Sequence, residues 1–175
     1  MRVLVSEQAE VQTSEASTAA DQLASSLASL TPILLATARM LVPGESEARD
    51  LTQTTLELAL RQIRSLRDPA KLRPWVLAIE AREAIRSRRR LRRWISLDAA
   101  VVPLPNALPP DETAATVRAA LMHLTPRVRA AVVLHYLVGL SISEAAQAMG
   151  VSQNTVKSEV ATGLRRLREV LNADT

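Results

Sequence analysis

The segment SISEAAQAMGVSQNTVKSEV, residues 141–160, places three helix signals within a short span. Ser141 is followed three positions later by Glu144, the spacing at which each side chain satisfies a backbone donor that a helix start leaves unpaired. A run of small apolar residues then leads to Gly150, in a chain with only four glycines. Glycine takes positive φ at no steric cost, so after a helical run it ends the helix. Ser152 is placed to cap a second helix beginning at Gln153. The unit reads as helix, tight turn, helix.

The second of these helices, Gln153 to about Leu171, repeats Val156, Val160, Leu164, Leu167 and Leu171 at spacings of three or four, an apolar stripe that must face its own domain. The other side carries Gln153, Asn154, Lys157, Ser158, Ala161, Arg165 and Arg168. A helix-turn-helix presents its second helix to the DNA major groove. Amides there can pair with adenine, Lys157 can reach guanine, and Glu159 can accept from cytosine, each good pair being worth roughly 1–3 kcal/mol of discrimination. A polar helix face is more often a solvated surface; the two capped helices in register around Gly150 favour the DNA-reading alternative. Gly163, inside this helix, costs about 1 kcal/mol against Ala and has no account in the sequence beyond close packing.

Two further helices precede the unit. One runs from Asp111 to Leu124; the next is capped by Thr125, opened by Pro126 and continues through Val128, Val132, Tyr136 and Leu137 to a stop at Gly139. His123 and His135 fall on apolar helix faces or their borders and read as packing residues. Upstream lies ISLDAAVVPLPNALPP, residues 95–110, with four of the nine prolines and no helical period, an extended linker marking a domain boundary.

The N-terminal half reads as helices over 21–41, where Pro32 restarts or kinks the helix, and from Glu45 to about Leu66. Asp68 and Pro69 then cap and open a long helix to about Trp94. In that helix the run AREAIRSRRRLRRW aligns Arg82, Arg86, Arg89 and Arg93 on one stripe, with Arg90 beside it. Like charges three or four apart destabilise a helix, so the stripe is better explained by phosphates than by structure. Trp75 reads as core; Trp94 is a candidate for stacking on a base or for closing the domain edge. Residues 1–20, rich in Ser, Thr, Ala, Glu and Gln, read as a disordered tail.

Charge is segregated. Residues 1–60 hold three basic and eight acidic side chains, residues 61–93 twelve and three, and residues 94–175 seven of each. The basic block implies a polyanion and the acidic one a protein surface. With no Phe, one Tyr and two Trp, the cores must be built from Leu, Val, Ile and Ala, which suits helix on helix. The expected fold is all-α: two small helical domains, 21–94 and 111–175, joined by the Pro-rich linker. The lack of Cys and the two isolated His exclude thiolate and zinc sites, so neither metal nor cofactor is expected. No cluster of nucleophile, base and ligand suggests an enzyme. No signal-peptide core or membrane-length apolar run appears, so a cytoplasmic protein is expected, away from membranes.

The chain resembles the extracytoplasmic-function sigma factors of bacterial RNA polymerase over about residues 23–171. LTPRVRAAVVLHYLVGLSISEAAQAMGVSQNTVKSEVATGLRRLREVL is similar to the family's region 4, and EARDLTQTTLELALRQIRSLRDPAKLRPWVLAI to its region 2. The resemblance implies that residues 152–162, including Ser152, Gln153, Asn154, Thr155, Lys157, Ser158, Glu159 and Thr162, with Arg165 beyond them, enter the major groove of the −35 promoter element. It implies that the helix bearing Asp50, Leu51, Gln53, Thr54 and Glu57 docks on the clamp helices of the largest subunit of core RNA polymerase. It also implies that residues around 75–90 engage and melt the −10 element, and that an anti-sigma factor is a partner. Arg82 and Arg86 stand where the family usually has Asn and Asp. Two other readings are a stand-alone DNA-binding regulator, since region 4 also resembles the output domain of LuxR-type activators, and a helical interaction module without a DNA role.

Overall fold

The computed structural model describes residues 22–94 and 112–173, with side chains described for 22–87 and 113–172. The expected tail, the linker and the side chains of Arg89, Arg90, Arg93 and Trp94 lie outside the described residues. Helix α1, Gln22–Ser29, meets α2, Thr31–Leu41, at a 49° bend. Pro32 opens α2, so the chain restarts there rather than kinking within one helix. Helix α3 spans Glu45–Gln62 and tightens into a 3₁₀ turn, Ile63–Ser65, short of the expected end at Leu66. Asp68 accepts from the Ala70 amide at 3.0 Å, capping a 3₁₀ turn, Pro69–Lys71, rather than an α-helix directly; α4 follows as Leu72–Trp94.

In the second half α5 is Glu112–Met122 and α6 is Pro126–Val132, passing into a π turn, Val133–Leu137. Thr125 stands at the α6 N-cap without a side-chain bond. The wider turn throws Tyr136 and Leu137 outward, and both are about half exposed. His123 is exposed, which corrects its assignment as a packing residue. His135 is half-buried, and its Nδ1–H donates to the Leu140 carbonyl at 2.7 Å. Helices α7, Ile142–Met149, and α8, Gln153–Ala173, complete the chain, and no strand occurs among the described residues.

The centre of the molecule is α4. Residues 76–81 are buried without interruption, more than one full turn, so neighbours surround this helix on every side. Helices α2 and α3 pack on it from the first half, α6 and α7 from the second, and one apolar cluster runs from Leu27 to Val160. Two arginines of the second half reach across to the end of α2. Arg118 Nε and Nη2 donate to the carbonyls of Arg39 and Pro43 at 2.8 and 2.9 Å. Buried Arg129 donates to Leu41 at 2.8 Å while also holding the Leu121, Met122 and Leu124 carbonyls of its own half. The last carbonyls of a helix lack intrahelical partners, and here guanidinium groups supply the donors for α2.

Glu80 is the anomaly in this core. Its side chain is fully buried, and neither carboxylate oxygen has a hydrogen-bond partner. Removal from water penalises the charged form, pushing the carboxyl up to about 9.

Candidate nucleic-acid interface

The turn between α7 and α8 is built as its local chemistry requires. Ser141 Oγ accepts from the Glu144 amide, and Glu144 Oε2 accepts from the Ser141 amide at 2.9 Å, a complete capping box. Gly150 sits at φ 66°, and Gly139, before Ser141, at φ 83°, both in the left-handed region that favours glycine. Ser152 Oγ accepts from the Thr155 amide at 3.1 Å and caps α8.

The apolar stripe of α8 faces inward, with Val156 and Val160 buried against α6 and α7. Gly163 explains itself here. A Cβ at this position would collide with Val132 Cγ2 and stand 3.1 Å from Val128 Cγ1, so only glycine lets α8 lie this close to α6. The opposite ridge is outward: Gln153, Asn154, Lys157, Ser158, Arg165 and Arg168 are exposed. Thr155 and Thr162 are half-buried, and Thr155 Oγ1 shares a 2.8 Å bond with the Ser152 hydroxyl. Glu159 differs from the expectation. Its carboxylate is ion-paired with Arg127 of α6 and its side chain is only 14% exposed, so it braces α8 rather than facing a base.

On α4 the basic stripe is less bare than the spacing suggests. Arg82 is exposed, but its Nε donates to its own helix at Ala78, and exposed Arg86 pairs with Glu83 at 2.8 Å. Trp75 is half-buried and packs against the core. A cleft of about 490 Å³ is lined by Trp75, Ala78 and Arg82 of α4, by Arg67, Asp68 and Lys71 ahead of that helix, and by a wall of Glu144, Gln147 and Ala148 from α7. Hydrogen bonds from Ser141 hold the Glu144 carboxyl below its ordinary value, keeping a negative charge in that wall.

A third surface lies on α3. Asp50, Gln53, Thr54 and Glu57 are exposed and fall on one stripe at spacings of three, one and three, with Gln53 Nε2 donating to Glu57 Oε1 at 3.2 Å. Leu51 is not among them: it is buried in the core, which corrects its expected place on the surface. Leu60, three residues beyond Glu57, is half exposed and extends this surface with an apolar side chain that the charge pattern did not indicate. At the head of this helix Arg39 holds Glu45 through two bonds of 2.8 and 2.9 Å, bringing its carboxyl down to about 2.

Comparison with known proteins agrees with this geometry. Residues 27–94 match sigma-70 region 2 and residues 114–167 match sigma-70 region 4. The RNA polymerase sigma-E factor of Streptomyces coelicolor is 32% identical over 142 residues, 80% of each chain. The ECF RNA polymerase sigma factor SigM of Mycobacterium tuberculosis is 32% identical over 135 residues, 77% of this chain and 69% of that one. Among solved structures, the sigma factor RpoE of Bartonella quintana, in complex with the anti-sigma factor NepR, superposes with a TM-score of 0.70 at 27% identity, covering 86% of this chain and 97% of that one.

Proposed function

Because the chain belongs to the sigma-70 family of RNA polymerase sigma factors, in its extracytoplasmic-function group, we propose how its three surfaces divide the work of promoter recognition. A sigma factor is a non-enzymatic initiation factor that binds core RNA polymerase and promoter DNA. The α8 ridge, from Gln153 through Lys157 to Arg165, enters the major groove of the −35 element. Its polar side chains read base edges, while Arg165 and Arg168 neutralise phosphates. The observation that carries this reading is the outward polar ridge on a doubly capped helix-turn-helix.

Arg82 and Arg86, with Arg89, Arg90 and Arg93 further along α4, contact the −10 region. Melting there by two arginines differs in chemistry from an amide and an acid: they grip phosphate firmly and capture a flipped base by stacking rather than by an acceptor. The α3 stripe of Asp50, Gln53, Thr54 and Glu57, extended by Leu60, docks on the clamp helices of the polymerase. Domains over 21–94 and 111–175 carry these surfaces, with 95–110 as their tether. A match to region 2 as well as region 4 speaks against the stand-alone regulator, which would need only the latter.

A relative in complex with an anti-sigma factor supports a protein partner of that class here. No single described helix is long and apolar enough to cross a membrane, in keeping with action in the cytoplasm where polymerase works. The test is reconstitution. Purified chain with core polymerase should bind and initiate from promoters selected genome-wide; absence of both binding and transcripts would refute the reading.

A further inference from the structure

Between Ser152 and Arg165 the chain carries a single acid, Glu159. Its neighbours Ser158, exposed, and Val160, buried, stand about 100° to either side of it around the helix, which puts it on the flank between ridge and core. A major groove about 12 Å wide receives a helix about 10–12 Å across, so both flanks of that helix pass close to phosphates. A bare carboxylate there would repel the DNA backbone at short range.

Glu159 is not bare. Arg127, the second residue of α6, sets its Nε against Glu159 Oε1. The acid's other oxygen, Oε2, is buried with no hydrogen-bond partner, and among the described residues Arg127 is the one ion-pair partner of Glu159. The contact is ionic rather than an aligned hydrogen bond, for Arg127 Nε is also buried without a hydrogen-bond partner. The Glu159 side chain is 14% exposed and that of Arg127 40%, so the cation lies outermost with the acid behind it. Close seating of the helices brings the two together. The next residue of α6, Val128, has its Cγ1 3.1 Å from where a Cβ on Gly163 would stand, one turn beyond Glu159 on α8.

We infer that Arg127 is a positioning residue for −35 recognition that acts through Glu159: it holds the carboxylate against α6 and cancels the one negative charge that would meet the groove wall. The inference rests on the placement of α8 in the −35 groove. Without Arg127 the carboxylate loses its cation, turns to water at the flank and faces the phosphates.

The test uses holoenzyme reconstituted from the full chain and core polymerase, with a duplex carrying the −35 element of a promoter selected genome-wide. Fluorescence anisotropy at several salt concentrations reads the affinity. Arg127→Ala should weaken binding about tenfold, as expected for a like charge set beside a phosphate. The double variant Arg127→Ala/Glu159→Gln should recover most of that loss, because the harm lies in the uncovered acid. Glu159→Gln alone, which frees the Arg127 cation, should bind several-fold tighter than wild type. If Arg127→Ala loses helix content by circular dichroism, Arg127→Gln with and without Glu159→Gln carries the same comparison. A double variant as weak as Arg127→Ala, with the logarithmic salt slope lowered by about one, overturns the inference, since Arg127 would then hold a phosphate on its own account. Weaker binding by Glu159→Gln also overturns it, since the acid would then be reading a base. Lys157→Ala is the control for the groove itself. If it binds like wild type, the placement of α8 fails and the inference falls with it; if it weakens binding while Arg127→Ala does not, the inference alone falls.

Discussion

Replacing Glu80 with Met should stabilise this protein, and the gain should grow with pH. A buried carboxyl with both oxygens unpartnered takes up a proton in the folded state that it gives up at 4.5 when unfolded. Its folded value is raised, so its contribution is intact below 4.5 and is lost progressively as pH climbs toward about 9. Each pH unit within that window removes about 1.4 kcal/mol. From pH 5 to pH 8 the wild type should therefore lose about 4 kcal/mol that the variant keeps. Met fills a similar volume with flexible, apolar atoms. It also removes the cost of burying an unpaired neutral carboxyl, roughly 1–3 kcal/mol from protein data, at every pH. The assay is urea and thermal denaturation of both proteins at several values between pH 5 and pH 8.5. At pH 8 the melting temperature of Glu80→Met should exceed wild type by on the order of 10 °C, since a chain this size shifts roughly 2–4 °C per kcal/mol. Parallel stability profiles, or a destabilised variant, would refute the reasoning, for they would mean that the carboxylate finds water or a cation when ionised.

Lys157→Ala should weaken binding to a −35 duplex by roughly 1–3 kcal/mol if it reads a base, or lower the logarithmic salt slope by about one if it holds a phosphate. A fluorescence-anisotropy titration at several salt concentrations distinguishes the two, and no change would remove α8 from the groove. Gly163→Ala should destabilise by about 1–3 kcal/mol through its clash with Val132, outweighing the propensity gain of about 1 kcal/mol; thermal melting checks it. Leu60→Glu should leave stability near wild type, because the side chain is half exposed, yet lower affinity for core polymerase in a pull-down several-fold. Acid should expose a separate stability loss: Glu45, held at about 2 by Arg39, gives up its contribution as pH falls from 4.5 toward 2, and Arg39→Ala should flatten that limb.

The signals that were legible in the sequence are local. A capping box, a positive-φ glycine and a serine cap each complete their chemistry within three or four residues, so Ser141, Glu144, Gly150 and Ser152 announce the α7–α8 unit without its surroundings. The outward face of α8 was equally readable, because its apolar stripe has one partner side. Helix α4 resisted the same treatment. Six consecutive buried residues erase any single-face period, and Glu80, polar by type, is inside because α4 is enclosed by helices from both halves. Leu51 and Glu159 were misplaced for a related reason. Whether a side chain meets solvent, core or a paired charge depends on elements distant in sequence, and for Glu159 on Arg127 of α6. The reach of Arg118 and Arg129 to the end of α2 and the turn after it spans 75 to 88 positions and leaves no periodic trace.

The missing side chain at Gly163 gives α8 a fulcrum near its middle, where the helix rests on Val132 with no methyl spacer. Asn154 lies nine residues up the shaft, about 14 Å away at 1.5 Å per residue. A tilt of roughly 10° about that pivot swings the tip by about 2 Å, enough to break a hydrogen bond to a base edge, while Arg165 and Arg168 move the opposite way by less. Small changes in how α6 seats the pivot are thus geared up at the end that reads sequence and geared down at the end that holds the backbone.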